Sequence, residues 1–192
     1  MNNKQNEQET LRESLSLIYR LKENAESLRQ ESDLLLKGMR AILEAKTRKA
    51  LYERMFSMFQ NLIPYETCFV LNHDRPGIMR CFSATENSFE GTDWEVDGAL
   101  KKALMGKPVA VFNAASLPSW QTFTGQPDKI PTSVLYCPFR IDDQLSIMVF
   151  CARDLGFYTQ KHVSLAERYR EFTEQTVLSV HAKLPGLASV SY

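Results

Sequence analysis

The sequence predicts an α+β fold, an antiparallel sheet with helices on one face, preceded by a long N-terminal coiled-coil helix. Three observations lead to this fold class. Two pairs of apolar segments, each pair separated by a short turn sequence, predict two β-hairpins. A three-and-four apolar repeat over residues 11–42 predicts the long helix. Wide apolar stripes at helical spacing precede the first hairpin and follow the second, which is typical of α+β domains.

The long helix carries an apolar seam with charged residues on its other faces. The heptad spacing favours a parallel two-stranded coiled coil in a homodimer. The alternative is a helix that folds back on its own domain. The seam residues expected to form the dimer are Ile18, Leu21, Ala25, Leu28, Leu35, Met39 and Ile42.

The second part of the chain reads as a compact domain. Pro64 ends a helix over residues 50–63, and Gly106 stops a second helix for which Asp93 is the expected N-cap. The segments in chain order are a hairpin (66–72 and 77–85), a helix (93–106), a strand (108–112), a long irregular connection (113–131), a hairpin (133–141 and 144–153) and a last helix.

These elements divide the chain into a dimerising helix (1–46), a sensory-type domain (47–184) and a flexible tail (185–192). The strand over 144–153 is apolar on both faces, which predicts a central position in the sheet. The expected core residues are Phe56, Phe59, Leu62, Phe69, Leu71, Val111, Leu135, Ile147, Val149 and Phe172.

Composition argues against several classes of protein. Lys and Arg number 23 and balance 23 Asp and Glu, so the basic excess of a nucleic-acid binder is missing. No long apolar run predicts a membrane span, and the polar first residues lack a secretory signal, so we expect a cytoplasmic protein with no membrane partner. The four cysteines form no CxxC pair and predict buried, reduced thiols rather than a metal site.

Several segments resemble the GAF domain, a small sensory module. They are "LIPYETCFVL" (62–71), "GIMRCFSAT" (77–85), Trp94, "ALMGKPVAVFN" (103–113) and "LPSWQ" (117–121). These segments are similar in sequence to the GAF domains of bacterial signalling proteins. In such proteins the GAF domain often precedes a diguanylate cyclase domain. The chain contains neither a GG(D/E)EF nor an EAL sequence, so the resemblance covers the sensory part alone.

The resemblance implies a ligand pocket on the sheet face opposite the terminal helices, under the irregular connections. Trp120 has two interpretations there, as part of a mobile lid over the ligand or as a side chain that seals the core. The residues implied to line the pocket are Trp94, Phe112, Asn113, Trp120, Phe123 and Tyr136.

The chemistry that some GAF domains carry is not evident in these residues. The Asn-Lys…Phe…Asp-Glu signature of cyclic-nucleotide binders is missing, and no Cys-His pair would hold a bilin. The resemblance therefore implies a non-catalytic domain that binds an unidentified small ligand, with no metal and no assigned cofactor. It also implies signalling through dimeric terminal helices to a downstream domain or partner, with regulation of cyclic di-GMP synthesis as the expected output. The alternatives are a protein-interaction module with a vestigial pocket and a GAF-fold methionine sulfoxide reductase.

Overall fold

The computed structural model describes residues 2–123, 130–141 and 144–181. The chain divides into two compact units, Met1–Lys37 and Gly38–Tyr192. Helix α1 (Asn2–Leu43) supplies the first unit and ends inside the second. The predicted tail (185–192) and part of the predicted 113–131 connection lie outside the described residues. Within those residues, no helix combines the length and apolar character needed to cross a bilayer.

In the first unit, α1 is an uninterrupted helix, as its apolar repeat predicts. The side chains of Ile18, Leu21 and Leu28 are each more than half exposed, at 59%, 58% and 57%. Leu35 is partly buried. A row of apolar side chains this exposed is expected of a helix that packs against a partner.

The second unit contains one six-stranded antiparallel sheet with strand order β3-β2-β1-β6-β5-β4, which confirms the predicted fold class. Strands β1 and β6 are central, as predicted for the doubly apolar β6. The elements are α2 (Arg48–Gln60), β1 (Thr67–Arg75), β2 (Ile78–Ala84), β3 (Asp93–Glu95), α3 (Gly98–Leu104), β4 (Val109–Val111), a 3-10 turn (Ala114–Ser116), α4 (Pro118–Gln121), β5 (Ser133–Ile141), β6 (Gln144–Ala152) and α5 (Gln160–His181).

The predicted start of the helix at Asp93 is wrong. Asp93–Glu95 form strand β3, in which Trp94 is buried between two exposed neighbours and pairs with Met79. The N-cap is Asp97, whose Oδ1 accepts the backbone N–H groups of Ala99 and Leu100. Since the capping carboxylate lies four residues later in the chain, the preceding residues are free to pair with β2.

One face of the sheet is covered by α2 and α5. The Phe59 ring packs on Phe150 of β6 at 5.5 Å between centroids, and the Cys137 thiol of β5 donates to the Ala166 carbonyl of α5 at 3.9 Å. Phe172, an expected core residue, is 45% exposed. The buried stripe of α5 is instead formed by Ala166, Tyr169, Thr173 and Val177.

The other expected core residues follow the prediction closely. Leu62 and Val111 are only partly buried. The fully buried ones are Phe56, Phe59, Phe69, Leu71, Leu135, Ile147 and Val149.

The last turn of α1 belongs to the second unit. Ile42 and Ala45 are buried there, and the Arg54 guanidinium donates to the Ala41 carbonyl. A Cβ atom at Gly38 would meet Cγ of Met58 at 2.2 Å, so this close approach requires glycine. Ile42 is therefore a core residue of its own domain, which corrects its assignment to the dimer seam.

Candidate functional site

The face of the sheet opposite α2 and α5 carries a cluster of aromatic side chains. The Trp94 and Trp120 rings lie 4.8 Å apart, and Phe69 stacks on Phe89 at 4.9 Å. We call this set the aromatic cluster, and its members are Phe69, Phe89, Trp94, Trp120, Phe123 and Tyr136. All are fully buried except Phe123, which is partly buried.

A chain of hydrogen bonds runs through the aromatic cluster. The Trp120 indole N–H donates to the Tyr136 hydroxyl at 2.9 Å, and the Tyr136 hydroxyl is hydrogen-bonded to Ser119. The Ser119 hydroxyl donates to Asp97 Oδ2 at 2.5 Å. Since an indole only donates and a carboxylate only accepts, the chain has one direction, from Trp120 to Asp97. Burial raises the pKa of Tyr136 above its ordinary value, which keeps this hydroxyl protonated.

The structure brings four of the six predicted pocket residues together. Trp94, Trp120, Phe123 and Tyr136 belong to the aromatic cluster. Phe112 and Asn113 do not join it. The Phe112 side chain is 65% exposed and lies beside Gly156. The Asn113 side chain accepts from the Ala115 N–H and caps the 3-10 turn.

The position of Trp120 decides between its two interpretations. Its side chain is completely buried and its only polar atom is hydrogen-bonded. A partly exposed lid residue would show neither property. Trp120 is therefore a core side chain, and the lid interpretation is wrong for it.

Open space exists beside the aromatic cluster, at the end of the sheet where β1 begins and β6 ends. This sheet-end cavity has a volume of about 300 Å³. Its apolar wall includes Phe89, Ile130 and Cys151, and its polar wall is formed by Glu66, Thr67, Glu86, Thr132 and Arg153. A concave site with apolar walls and a few polar groups is typical of small-molecule binding.

The polar groups of the sheet-end cavity are held in place by one another. Arg153 Nε contacts Glu66 Oε2 at 2.7 Å, and the Arg153 backbone N–H donates to Glu66 Oε1 at 3.0 Å. The Thr67 hydroxyl donates to Glu86 Oε1 at 2.6 Å, and the Thr132 hydroxyl donates to the Arg153 carbonyl. These bonds link the polar rim groups to one another around an apolar floor.

No sequence motif marks the sheet-end cavity. Its residues come from four separate segments of the chain, which strand pairing brings together; Thr67 of β1, for example, lies opposite Cys151 of β6. The sequence would have predicted the sheet-end cavity only if the pairing register of β1 and β6 had been known.

The four cysteines are all buried and reduced. Burial raises the pKa of Cys81 and of Cys137 to about 12, and it raises the pKa of Cys68 and of Cys151 as well. A thiol acts as a nucleophile through its thiolate form. None of the four is therefore prepared for nucleophilic chemistry.

Two histidines have described side chains, His162 at the start of α5 and His73 on β1. His162 Nδ1 accepts the Thr159 backbone N–H at 3.1 Å, at the start of α5. His73 lies exposed on β1. In the described part of the chain, no group of three or more His, Cys, Asp or Glu side chains has the geometry to hold a metal ion.

Comparisons of sequence find no matching protein-family model and no matching curated protein. Comparisons of structure find GAF domains. The GAF domain of a phosphoenolpyruvate-protein phosphotransferase from Coxiella burnetii matches with a TM-score of 0.60 and 12% identity, over 80% of this chain and 95% of that chain. A phycoerythrobilin-bound GAF domain from a cyanobacterial phytochrome matches with a TM-score of 0.58 and 9% identity, over 80% of this chain and 97% of that one.

A solved enzyme also shares the fold. The free methionine-R-sulfoxide reductase from Neisseria meningitidis, in complex with its substrate, matches with a TM-score of 0.63 and 10% identity, over 80% of this chain and 91% of that chain. At such low identity the likeness establishes the fold alone. The chain therefore has the GAF fold, in which sensory and catalytic proteins both occur.

Proposed function

We propose that this chain is a non-catalytic sensory domain of GAF type that binds a small ligand in the sheet-end cavity. The observation that carries the proposal is the cavity itself. Its volume of about 300 Å³ is sufficient for a small ligand, and its rim offers donors and acceptors above an apolar floor. We propose that the protein acts in the cytoplasm.

The cavity is placed to influence two helices of its unit. Glu66 and Thr67 of its wall follow α2 after a short linker, and Arg153 begins the segment that leads into α5. The Tyr158 hydroxyl of that segment donates to the Pro64 carbonyl of the linker at 3.1 Å. A ligand that displaces the cavity wall would therefore bias the positions of both helices.

The absence of catalysis is part of the proposal. The raised thiol pKa values oppose a sulfoxide reductase, because that chemistry starts from an accessible thiolate. A thiol-dependent assay with free methionine sulfoxide tests this directly. Turnover that is lost when a single cysteine is replaced by serine would contradict the proposal.

The ligand proposal is tested on the full chain by native mass spectrometry and thermal unfolding with a metabolite panel. Cys151 lines the sheet-end cavity and shares a face of β6 with Val149, on the side of the aromatic cluster, so Cys151→Phe would place a ring in the cavity. Ala115→Phe adds the same ring at an exposed position as a control. We expect a compound that stabilises the original chain and the control, and does not stabilise Cys151→Phe. Equal stabilisation of all three proteins would place the ligand elsewhere.

The second candidate function is a protein-interaction module. The aromatic cluster favours it, because the region where the resemblance implies a pocket is filled by packed rings. This alternative predicts that no member of the metabolite panel stabilises the chain, and that a partner protein binds Cys151→Phe as tightly as the original chain.

We further propose that α1 forms a parallel homodimer through Ile18, Leu21, Ala25, Leu28, Leu35 and Met39. Leu28→Lys places a charge in this seam and is expected to weaken the dimer in sedimentation equilibrium by at least about tenfold. Gln30→Lys adds the same charge on the opposite face of the helix and is the control. Identical sedimentation of both variants as dimers would contradict the seam.

The output we propose is control of cyclic di-GMP synthesis by a downstream or partner cyclase, on the strength of the sequence resemblance. A diguanylate cyclase domain joined after α5 tests it. We expect a stabilising ligand to change the rate of product formation, and Cys151→Phe to abolish the change. An unchanged rate with bound ligand would remove this output while leaving the sensory proposal intact.

A further inference from the structure

A second pocket, separate from the sheet-end cavity, lies where α5 meets the end of α3, the end of β5 and the start of β6. It has a volume of about 260 Å³. Gly106, Pro138 and Leu145 contribute to its walls, and its charged groups are Arg140, Arg170 and Glu174. The charged lining, rather than the volume, distinguishes this pocket from the sheet-end cavity.

The two arginines of this pocket differ from most of the other described arginines of the domain. Arg75, Arg80 and Arg153 each form an ion pair with a carboxylate. In the described part of the chain, Arg140 and Arg170 form none. Because these two arginines outnumber Glu174, the carboxylate of this pocket, the charged lining gives a positive potential.

Arg170 is also incompletely hydrogen-bonded. One of its terminal nitrogens donates to the Gly106 carbonyl, while its Nε is buried with no hydrogen-bond partner among the described residues. Buried donors are normally satisfied. The guanidinium therefore has a fixed position, which the Gly106 carbonyl holds, and part of its bonding capacity remains unused.

The carboxylate in the pocket is engaged by backbone rather than by either arginine. Glu174 Oε1 accepts the Arg140 backbone N–H at 2.8 Å. This bond ties α5 to the end of β5, and Glu174 forms no ion pair with either guanidinium group among the described residues. With two arginines and one glutamate, the charged lining residues sum to one positive charge.

We propose that this pocket binds a small oxyanion, a phosphate or carboxylate group, between Arg140 of β5 and Arg170 of α5. Guanidinium groups bind such oxyanions through charge-assisted hydrogen bonds. The bound anion would bridge the sheet and α5, and so would hold this helix against the sheet. The site is separate from the sheet-end cavity and gives α5 a second point of control.

The test uses the full chain with inorganic phosphate and with malonate, each compared with sodium chloride at equal ionic strength. We expect saturable thermal stabilisation by at least one of the two oxyanions, with an apparent Kd below about 10 mM. Whichever binds more tightly identifies the phosphate or the carboxylate as the preferred group. Stabilisation that merely equals the effect of sodium chloride would overturn the proposal.

Variants locate the site. Arg140 is exposed, so Arg140→Gln should fold normally, and it should weaken oxyanion binding at least about tenfold. Arg12→Gln removes the same charge from the exposed face of α1 and should change binding less than about twofold. Glu174→Gln keeps the acceptor for the Arg140 N–H and should tighten binding, because the repelling charge is removed. Equal affinities of Arg140→Gln and Arg12→Gln would show that the oxyanion binds elsewhere, whatever the sheet-end cavity binds.

Discussion

The aromatic cluster and the sheet-end cavity are neighbours with opposite properties. They share Phe89, yet rings occupy one region and about 300 Å³ of space remains in the other. Of the aromatic residues that suggested a ligand pocket, all except the exposed Phe112 fill the core. Room for a ligand lies instead where polar side chains from several strand ends meet. Aromatic content therefore identifies the covered region of this domain, not its open one.

The difference has a physical origin. In the aromatic cluster, the buried polar atoms of Trp120, Tyr136 and Ser119 satisfy one another and end on Asp97, so rings can pack closely without an unpaired donor. At the sheet-end cavity, the rim groups pair along the wall and leave the centre open. A cavity with polar walls can hold water or a polar ligand, whereas an apolar void of similar size lowers stability.

The largest expected effect is on the filled region. Trp120→Ala should lower the free energy of unfolding by roughly 3–5 kcal/mol, because it opens a void in the aromatic cluster and removes the indole N–H that donates to the Tyr136 hydroxyl. Phe112→Ala removes a 65% exposed ring and should cost less than about 1 kcal/mol. Urea unfolding of both variants makes the comparison. A similar small loss for both would mean that Trp120 is not a core residue.

The alkylation rates of two cysteines offer a second comparison of the aromatic cluster with the sheet-end cavity. Cys81 belongs to the core beside the aromatic cluster, whereas Cys151 contributes to the cavity wall. Burial raises the pKa of both thiols, so at pH 8 the native chain should be alkylated at least about a hundredfold more slowly than the unfolded chain. Peptide mapping should find Cys151 modified first. Faster modification of Cys81 would contradict the assignment of open space to the sheet end.

The sequence predicted local structure better than it predicted the site. The α2 stripe identifies its helix because the pattern has the helical period, and the continuous apolar run of β6 identifies a strand that is covered on both faces. Strand β3 was missed because three residues around Trp94 carry too short a pattern. The link from Trp120 to Tyr136 and the meeting of Thr67 with Cys151 depend on strand register and on loop packing. Those features join residues far apart in the chain, so no local spacing reveals them.

The hydrogen-bond chain in the aromatic cluster should contribute a smaller amount than its rings. Tyr136→Phe keeps the packing but leaves the Trp120 N–H without its acceptor, which should cost about 1–3 kcal/mol. Tyr19→Phe removes a hydroxyl from a 67% exposed side chain of α1 and is the matched control. If Tyr136→Phe unfolds at the same urea concentration as this control, the hydrogen-bond chain does not stabilise the cluster.

The smallest expected effect concerns the segment that leads from the cavity wall into α5. His162 Nδ1 accepts the Thr159 N–H at the start of that helix, and its ring stacks on Phe157 at 5.5 Å. Burial, with a contribution from the charge of Lys161, lowers the pKa of His162. Because the folded-state pKa lies below the unfolded value of about 6.5, the unfolded chain binds this proton first as pH falls. The contribution of neutral His162 to the free energy of unfolding should therefore be fully present above about pH 7. It should be lost as pH falls below the unfolded pKa of about 6.5 and through the lower folded pKa.

Urea unfolding at pH 7.5 and at pH 5.5 measures this decline, with His162→Gln as the comparison. Glutamine retains an acceptor for the Thr159 N–H but does not titrate, so its pH dependence between these values should be shallower than that of the original chain. The difference between the two slopes isolates His162, because the exposed His73 is present in both proteins. Parallel slopes would mean that the proton on His162 does not affect folding. A slope difference that disappears when a cavity ligand is bound would show that the ligand and the start of α5 are energetically coupled.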